Sequence, residues 1–141
     1  MSYIFTVTDT DEDVWEPALA VGQLFMGGVD ALGKRILRVP TGLDDVSGDW
    51  VMVDPEAYGE FVTRALQRRG RSFHRDMIKL MDGVLPLMIA LADRLGVEIP
   101  AGSLAELAYL EWARDEDRVL LGHVWENRNG TVSVGGTGAV S

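Results

Sequence analysis

The sequence predicts an α+β fold that is mainly helical, with about four helices packed round a central apolar helix (residues 72–95) and a small antiparallel sheet of short strands. The stretch 72–95 is the most apolar part of the chain and is too long for a strand. Apolar residues recur at helical spacing in several further segments. The short segments Tyr3–Thr8 and Trp50–Val53 are rich in β-branched and aromatic residues, which favours strands.

The first predicted helix begins at Pro17, because proline suits the first position of a helix. Its glycines each cost about 1 kcal/mol relative to alanine, so packing must hold this helix together. Pro40-Thr41-Gly42 ends the segment, and an acidic loop is predicted from Leu43 to Gly48. The predicted apolar stripe consists of Val21, Leu24, Phe25, Gly28, Leu32 and Ile36.

The start of the second helix is the clearest boundary in the sequence. Asp54 is a suitable N-cap, Pro55 a suitable first residue, and Glu56 lies favourably at the positive end of the helix dipole. The helix should end near Arg69–Gly70. Its predicted buried face consists of Tyr58, Phe61, Val62, Ala65 and Leu66.

The central helix over 72–95 contains a proline in its interior. Pro86 removes the hydrogen bond to the carbonyl of Asp82 and costs on the order of 3 kcal/mol. A kinked helix and two helices with a break at Gly83 therefore both remain open. The apolar residues go all the way round the helix from Val84 onward, and the predicted buried face of its first half consists of Phe73, Met77, Leu80, Met81 and Val84.

The last predicted helix begins with a capping box, in which the Ser103 hydroxyl caps the amide of Glu106. Its apolar stripe is Leu104, Leu107, Ala108 and Leu110. Residues 119–134 either continue this helix or form a hairpin, and the Asn129-Gly130 pair slightly favours the hairpin. We predict one globular domain over residues 1–134 and a flexible C-terminal tail over 135–141.

Composition limits the classes of function. The chain has 141 residues, no cysteine and a formal net charge of −9. A nucleic-acid-binding protein normally carries a basic surface, so no nucleic-acid partner is predicted. The N-terminus lacks the pattern of a signal peptide, and charged residues interrupt the apolar stretch, so we predict a cytoplasmic protein without a membrane partner.

Acidic and histidine residues do not form a convincing metal or catalytic motif. Asp9, Asp11 and Asp13 resemble the start of a calcium loop, but Val14 and Ala20 occupy the positions that require glycine and glutamate. The second acidic group, Asp44, Asp45 and Asp49, is better explained as solvated turn residues. The chain has two histidines, His74 and His123, and no cysteine, which makes a dedicated zinc site improbable. No metal, no cofactor and no catalytic residue is predicted.

The basic side chains cluster between the second helix and the central helix. Guanidinium groups can bind a carboxylate or phosphate through two parallel hydrogen bonds, and they also suit protein contacts. A solvated, exposed turn is the plainer alternative. The candidate ligand- or anion-binding residues are Arg68, Arg69, Arg71, His74, Arg75 and Asp76, and the candidate interface residues are Arg64, Arg68 and Trp112. Trp112 is included because it lies off the apolar stripe of its helix.

Several short runs in the first half of the chain resemble a family of short uncharacterised actinobacterial proteins, a domain of unknown function. These runs are Val14-Trp15-Glu16-Pro17, Val21-Gly22-Gln23-Leu24-Phe25, Pro40-Thr41-Gly42-Leu43 and Asp54-Pro55-Glu56-Ala57-Tyr58. The resemblance implies a small cytoplasmic bacterial accessory protein. It implies no activity and no site residues.

From these observations we predict a non-catalytic protein-interaction module that self-associates or binds a protein partner. The alternative is a small enzyme or small-molecule-binding protein with a pocket between helices. The sequence discriminates weakly between them. Asp82 comes closest to a polar residue placed in an apolar helix face, which is the arrangement that an enzyme would show.

Overall fold

Four short strands form one mixed sheet in the order β2-β1-β4-β3. The computed structural model describes residues 1–120. The strands are β1 (Ile4–Val7), β2 (Asp13–Trp15), β3 (Leu43–Asp45) and β4 (Trp50–Val53). β1 pairs antiparallel with β2 and parallel with β4, and β3 pairs antiparallel with β4.

The predicted α+β, mainly helical class is confirmed, but the prediction of a purely antiparallel sheet is wrong. The central pair is parallel, with Ile4 opposite Trp50 and Val7 opposite Val53. The chain between β1 and β4 includes a long helical segment that returns it to the starting end of the sheet, so the two strands run in the same direction. The short strands β2 and β3, with three residues each, were not predicted, and β3 lies in the segment that was predicted as an acidic loop.

The helices cover one side of this sheet and form most of the core. α1 continues without interruption into a π-helix, and the later helices follow β4. Their bounds are α1 (Leu19–Ala31), the π-helix (Leu32–Leu37), α2 (Pro55–Arg71), α3 (Arg75–Asp82), α4 (Leu85–Arg94) and α5 (Leu104–Leu120). No helix among the described residues is both long and apolar enough to cross a membrane.

The buried face of α1 differs from the predicted stripe. Val21 and Leu24 are exposed, and the buried residues are Gly22, Phe25, Met26 and Val29. A Cβ atom at Gly22 would overlap the Tyr3 side chain, so the missing side chain lets α1 approach β1 closely. The buried face of α1 therefore depends on how closely its backbone approaches the sheet. The spacing of apolar residues alone does not reveal this.

α2 follows the prediction closely. The Asp54 carboxylate accepts a hydrogen bond from the Ala57 amide at 3.3 Å, and Pro55 is the first helical residue. All five predicted core residues of this helix are buried. The buried hydroxyl of Tyr58 donates to the Met88 carbonyl at 2.7 Å, which ties α2 to α4.

The central helix of residues 72–95 is two helices, as the alternative with a break at Gly83 predicted. The amides of Gly83 and Val84 close the last turn of α3 on the carbonyls of Leu80 and Met81. Pro86 then lies in the first turn of α4. Backbone amides in the first turn have no acceptor within the helix, so the amide hydrogen that proline lacks costs no helical hydrogen bond. α4 is the buried helix. In α3 only Met81 is buried, and Leu80 is 75% exposed. Phe73, which precedes α3, is 97% exposed. The predicted buried face of this segment is therefore wrong.

α5 has the predicted cap but a different buried face. The Glu106 amide donates to the Ser103 hydroxyl at 3.1 Å, while the Glu106 carboxylate accepts from the Gly102 amide. Leu104 and Leu107 are exposed, and the buried residues are Tyr109, Leu110 and Ala113. α5 extends through Leu120, and the remainder of the stretch to residue 134, with the predicted tail, lies outside the described residues.

Candidate binding surfaces

The carboxylate of Asp82 joins α2, α3 and α5. Arg69 from α2 donates two hydrogen bonds to it, Nε to Oδ1 at 2.6 Å and Nη2 to Oδ2 at 3.1 Å. The Tyr109 hydroxyl from α5 donates to Oδ1 at 2.8 Å. The guanidinium carbon of Arg69 also lies 4.1 Å from the centre of the Tyr109 ring, a cation–π contact. Arg69 and Asp82 therefore connect helices in this structure.

The pKa values of this cluster follow from its contacts. Partial burial raises the pKa of Asp82, but the hydrogen bonds from Arg69 and Tyr109 and the guanidinium charge outweigh it, so the pKa lies below its ordinary value. Burial and the adjacent carboxylate raise the pKa of Tyr109. Asp82 is therefore charged near neutral pH, and Tyr109 is neutral.

The other candidate residues from the sequence are more exposed than Arg69. Arg64 lies 3.5 Å from Glu60 on the same exposed helix face. The remaining arginines of the cluster make no ion pair with any described residue, and these are Arg68, Arg71 and Arg75. His74 and Asp76 are exposed at the start of α3. Trp112 is 46% exposed, and its ring lies 5.4 Å from the Tyr109 ring.

An apolar groove runs between α3 and the segment formed by α1 and the π-helix. Its volume is about 340 Å³. Leu80 forms one edge, and Arg35 provides a cation at the opposite edge. The lining residues are Gly28, Ala31, Leu32, Arg35, Ile36, Met77, Leu80, Met81 and Val84. We call this surface, together with Phe73 and Arg75 beside the start of α3, the α3 surface.

A polar cleft of about 530 Å³ lies on another side of the π-helix. Met26 and Leu43 line the cleft with apolar side chains. Cations of the π-helix segment and carboxylates of α1 and β3 also line it. The charged lining residues are Asp30, Lys34, Arg38, Asp44 and Asp45. The Tyr3 hydroxyl donates to Asp45 at 2.6 Å, and burial together with this carboxylate raises the pKa of Tyr3.

Sequence reasoning missed both cavities because it missed the π-helix. A π-helix has a wider turn than an α-helix, and such segments are frequent at functional sites. Here it ends at Arg38, which has the left-handed φ of 57° and whose amide bonds the Gly33 carbonyl at 2.7 Å. The apolar spacing of the first predicted helix does not distinguish a π-helix from an α-helix.

Two further acidic residues that the sequence singled out, Asp13 and Asp49, have hydrogen-bond partners. The Thr6 hydroxyl donates to Asp13 at 2.8 Å and accepts from the Trp50 indole at 2.9 Å. Ser47 donates to Asp49 at 3.0 Å. Among the side chains that the structure describes, no three acidic or histidine residues come together in a way that would hold a metal ion.

The fold and surfaces define a small, mainly helical α+β domain with a mixed four-stranded sheet and two open cavities beside a π-helix. A family model, the family of unknown function (DUF6086), matches residues 1–121. The chain belongs to this family, which agrees with the resemblance to a domain of unknown function. Searches of curated proteins and of solved structures found no significant match.

Proposed function

We propose that the protein is a non-catalytic interaction module that binds an amphipathic helix of a partner protein on the α3 surface. The observation that carries this proposal is the 75% exposure of Leu80, which lines an apolar groove. Phe73, two residues before the start of α3, is 97% exposed. Grooves between helices commonly accept the apolar face of another helix. Covering a large apolar side chain contributes about 1.5–3 kcal/mol, so Leu80 and the groove together supply a substantial binding energy.

Charge indicates the chemistry of the partner. The chain as a whole has a net charge of −9, yet Arg35 lines the groove and Arg75 stands at the start of α3. Arg68 and Arg71 lie close by in sequence and pair with no described residue. A helix with leucines on one face and glutamates along its flanks complements this arrangement.

A second copy of the chain is a poorer occupant. In a two-fold dimer the same surface lies on both sides, so the cations around the groove would face each other. The net charge of each copy would add to the repulsion. An acidic helix avoids the first of these costs, because its carboxylates face the cations around the groove.

The test uses two designed helical peptides with the same leucine face, one flanked by glutamates and one by lysines. Fluorescence anisotropy should show binding of the glutamate peptide and weaker binding of the lysine peptide. Leu80→Ser should lower the affinity about tenfold or more, because one buried aliphatic contact is lost. Leu104→Ser is the matched control, since Leu104 is 85% exposed and lies outside the groove.

Equal binding of both peptides, or no binding of either, would contradict the proposal. Native mass spectrometry of the same variants identifies self-association. A dimer that dissociates with Leu80→Ser but persists with Leu104→Ser would mean that a second copy, and not an acidic helix, occupies the groove.

The small-molecule-binding alternative draws support from a different part of the molecule. The polar cleft has a volume within the range of ligand sites, about 300–1,000 Å³. His74, Arg75 and Asp76, which the alternative had assigned to a pocket, do not line this cleft.

A further inference from the structure

The polar cleft combines both signs of charge with an apolar floor. Lys34 and Arg38 come from the π-helix and its C-terminal residue, and Asp30 and Asp44 come from α1 and β3. We infer that the cleft binds a small aliphatic zwitterion of the amino-acid class, with the carboxylate near Lys34 and Arg38 and the protonated amine near Asp30 and Asp44.

The cations and carboxylates of the cleft do not neutralise each other. Lys34, Arg38, Asp30 and Asp44 form no ion pair with any described residue, although they line one cavity. A ligand with only a negative charge would meet repulsion from the carboxylates, and one with only a positive charge would meet the two cations. A zwitterion places each charge beside its opposite.

Hydrogen bonds hold the backbone around the cleft in one conformation. The Arg38 amide donates to the Gly33 carbonyl, and the Thr41 hydroxyl both accepts from the Leu43 amide at 3.1 Å and donates to the Leu43 carbonyl at 3.2 Å. The Asp54 amide then holds the Gly42 carbonyl at 2.8 Å. Binding therefore requires little ordering of the backbone, which favours affinity for a small ligand.

One carboxylate of the cleft is already engaged, which leaves the others to the ligand. Asp45 accepts from the Tyr3 hydroxyl and from the Gly48 amide at 2.7 Å. Met26 and Leu43 are buried and form an apolar surface for an aliphatic side chain. The inferred ligand thus has two charged groups close together and a short apolar part.

The test compares three molecules of similar shape by isothermal titration calorimetry: L-leucine, 4-methylpentanoate, which lacks the amine, and 3-methylbutylamine, which lacks the carboxylate. Leucine should bind about threefold to tenfold more tightly than either analogue, as expected for one solvent-accessible ion pair in each case. No binding of leucine, or an analogue that binds as tightly as leucine, would overturn the inference.

Variants locate the binding to the cleft. Lys34→Gln and Asp44→Asn should each weaken leucine binding, and Arg38→Gly should do the same, since glycine keeps the left-handed backbone while removing the charge. Lys79→Gln and Asp76→Asn on α3 are charge-matched controls and should bind like the original protein. Leucine binding that is unchanged in all three cleft variants would place the ligand elsewhere and overturn the inference.

Leu80→Ser separates this site from the α3 surface, because it should leave leucine binding intact.

Discussion

Asp82 illustrates how one polar residue acts in an apolar stretch. The sequence marked it as the residue closest to a catalytic arrangement, since it interrupts apolar residues on both sides. The structure gives its carboxylate three hydrogen bonds from Arg69 and Tyr109. Such a partly buried, charge-assisted cluster positions helices, and removing one member leaves its partners unsatisfied.

Asp82→Asn should lower the free energy of unfolding by about 1–3 kcal/mol at neutral pH, because charge-assisted hydrogen bonds are lost. The pKa of Asp82 is lower in the folded state than its ordinary value of 3.8, so its stabilisation is present above that pH and is lost as the pH falls through the folded value. Urea denaturation of Asp82→Asn and of the original protein, at neutral pH and near pH 3, measures the two free energies of unfolding. The difference between these free energies should shrink at the lower pH.

Glu60→Gln provides the control for the Asp82 experiment. Glu60 forms an exposed pair with Arg64 at 3.5 Å, and such pairs contribute little, about 0–1 kcal/mol. If the difference in unfolding free energy between Asp82→Asn and the original protein stays constant with pH, the carboxylate charge has no role in stability.

At the level of elements, local signals predicted α2 and the start of α5 well, whereas α1 begins at Leu19 and α3 at Arg75, later than predicted. Asp54-Pro55-Glu56 is a strong start, and the capping residue Ser103 was identified because its hydroxyl acts within one turn. The buried faces of α1 and α5 could not be predicted, because they depend on which neighbour approaches. Tyr109 is buried through its contacts with Arg69 and Asp82, while the more apolar Leu104 stays in solvent.

The parallel pairing of β1 with β4 and the π-helix also lay beyond sequence reasoning. The parallel pairing joins residues far apart in the chain, such as Ile4 with Trp50. The π-helix is recognised by the hydrogen bond from the Arg38 amide to the Gly33 carbonyl, which apolar spacing does not reveal. The sequence predicts the arginine cluster as a set of residues, but it does not predict the ion pair of Arg69 with Asp82, because this pair joins two helices whose packing the sequence does not encode locally.

The loop between the π-helix and β3 should be more sensitive to substitution than the β3–β4 turn. Gly42 and Gly48 both have positive φ, 79° and 85°. A Cβ atom at Gly42 would overlap the Tyr58 backbone at the start of α2, whereas at Gly48 it would meet nothing within 4 Å. Gly48→Ala should cost about 1–2 kcal/mol from backbone strain alone, and Gly42→Ala clearly more.

Urea denaturation of Gly42→Ala and Gly48→Ala measures both costs. Equal losses of unfolding free energy in the two variants would show that the packing of this loop against α2 does not matter. That result would also weaken the view that the frame of the polar cleft is rigid.

For the whole molecule, the distribution of charge and apolar surface is uneven. Exposed carboxylates lie in the strands and loops of the sheet, including Asp9, Asp11 and Asp44, while exposed arginines lie where α2 meets α3. The exposed apolar residues Phe73 and Leu80 lie on either side of Arg75 in the sequence, just before and within α3. The central claim is that the α3 surface binds an acidic amphipathic helix.

The measurement that tests this claim most directly is an NMR titration of the ¹⁵N-labelled protein with the glutamate-flanked peptide. The account predicts that the largest amide shift changes occur at residues of the α3 surface, among them Leu80, Met77 and Arg35. Shift changes confined to the polar cleft, or spread evenly over all exposed cations, would contradict it.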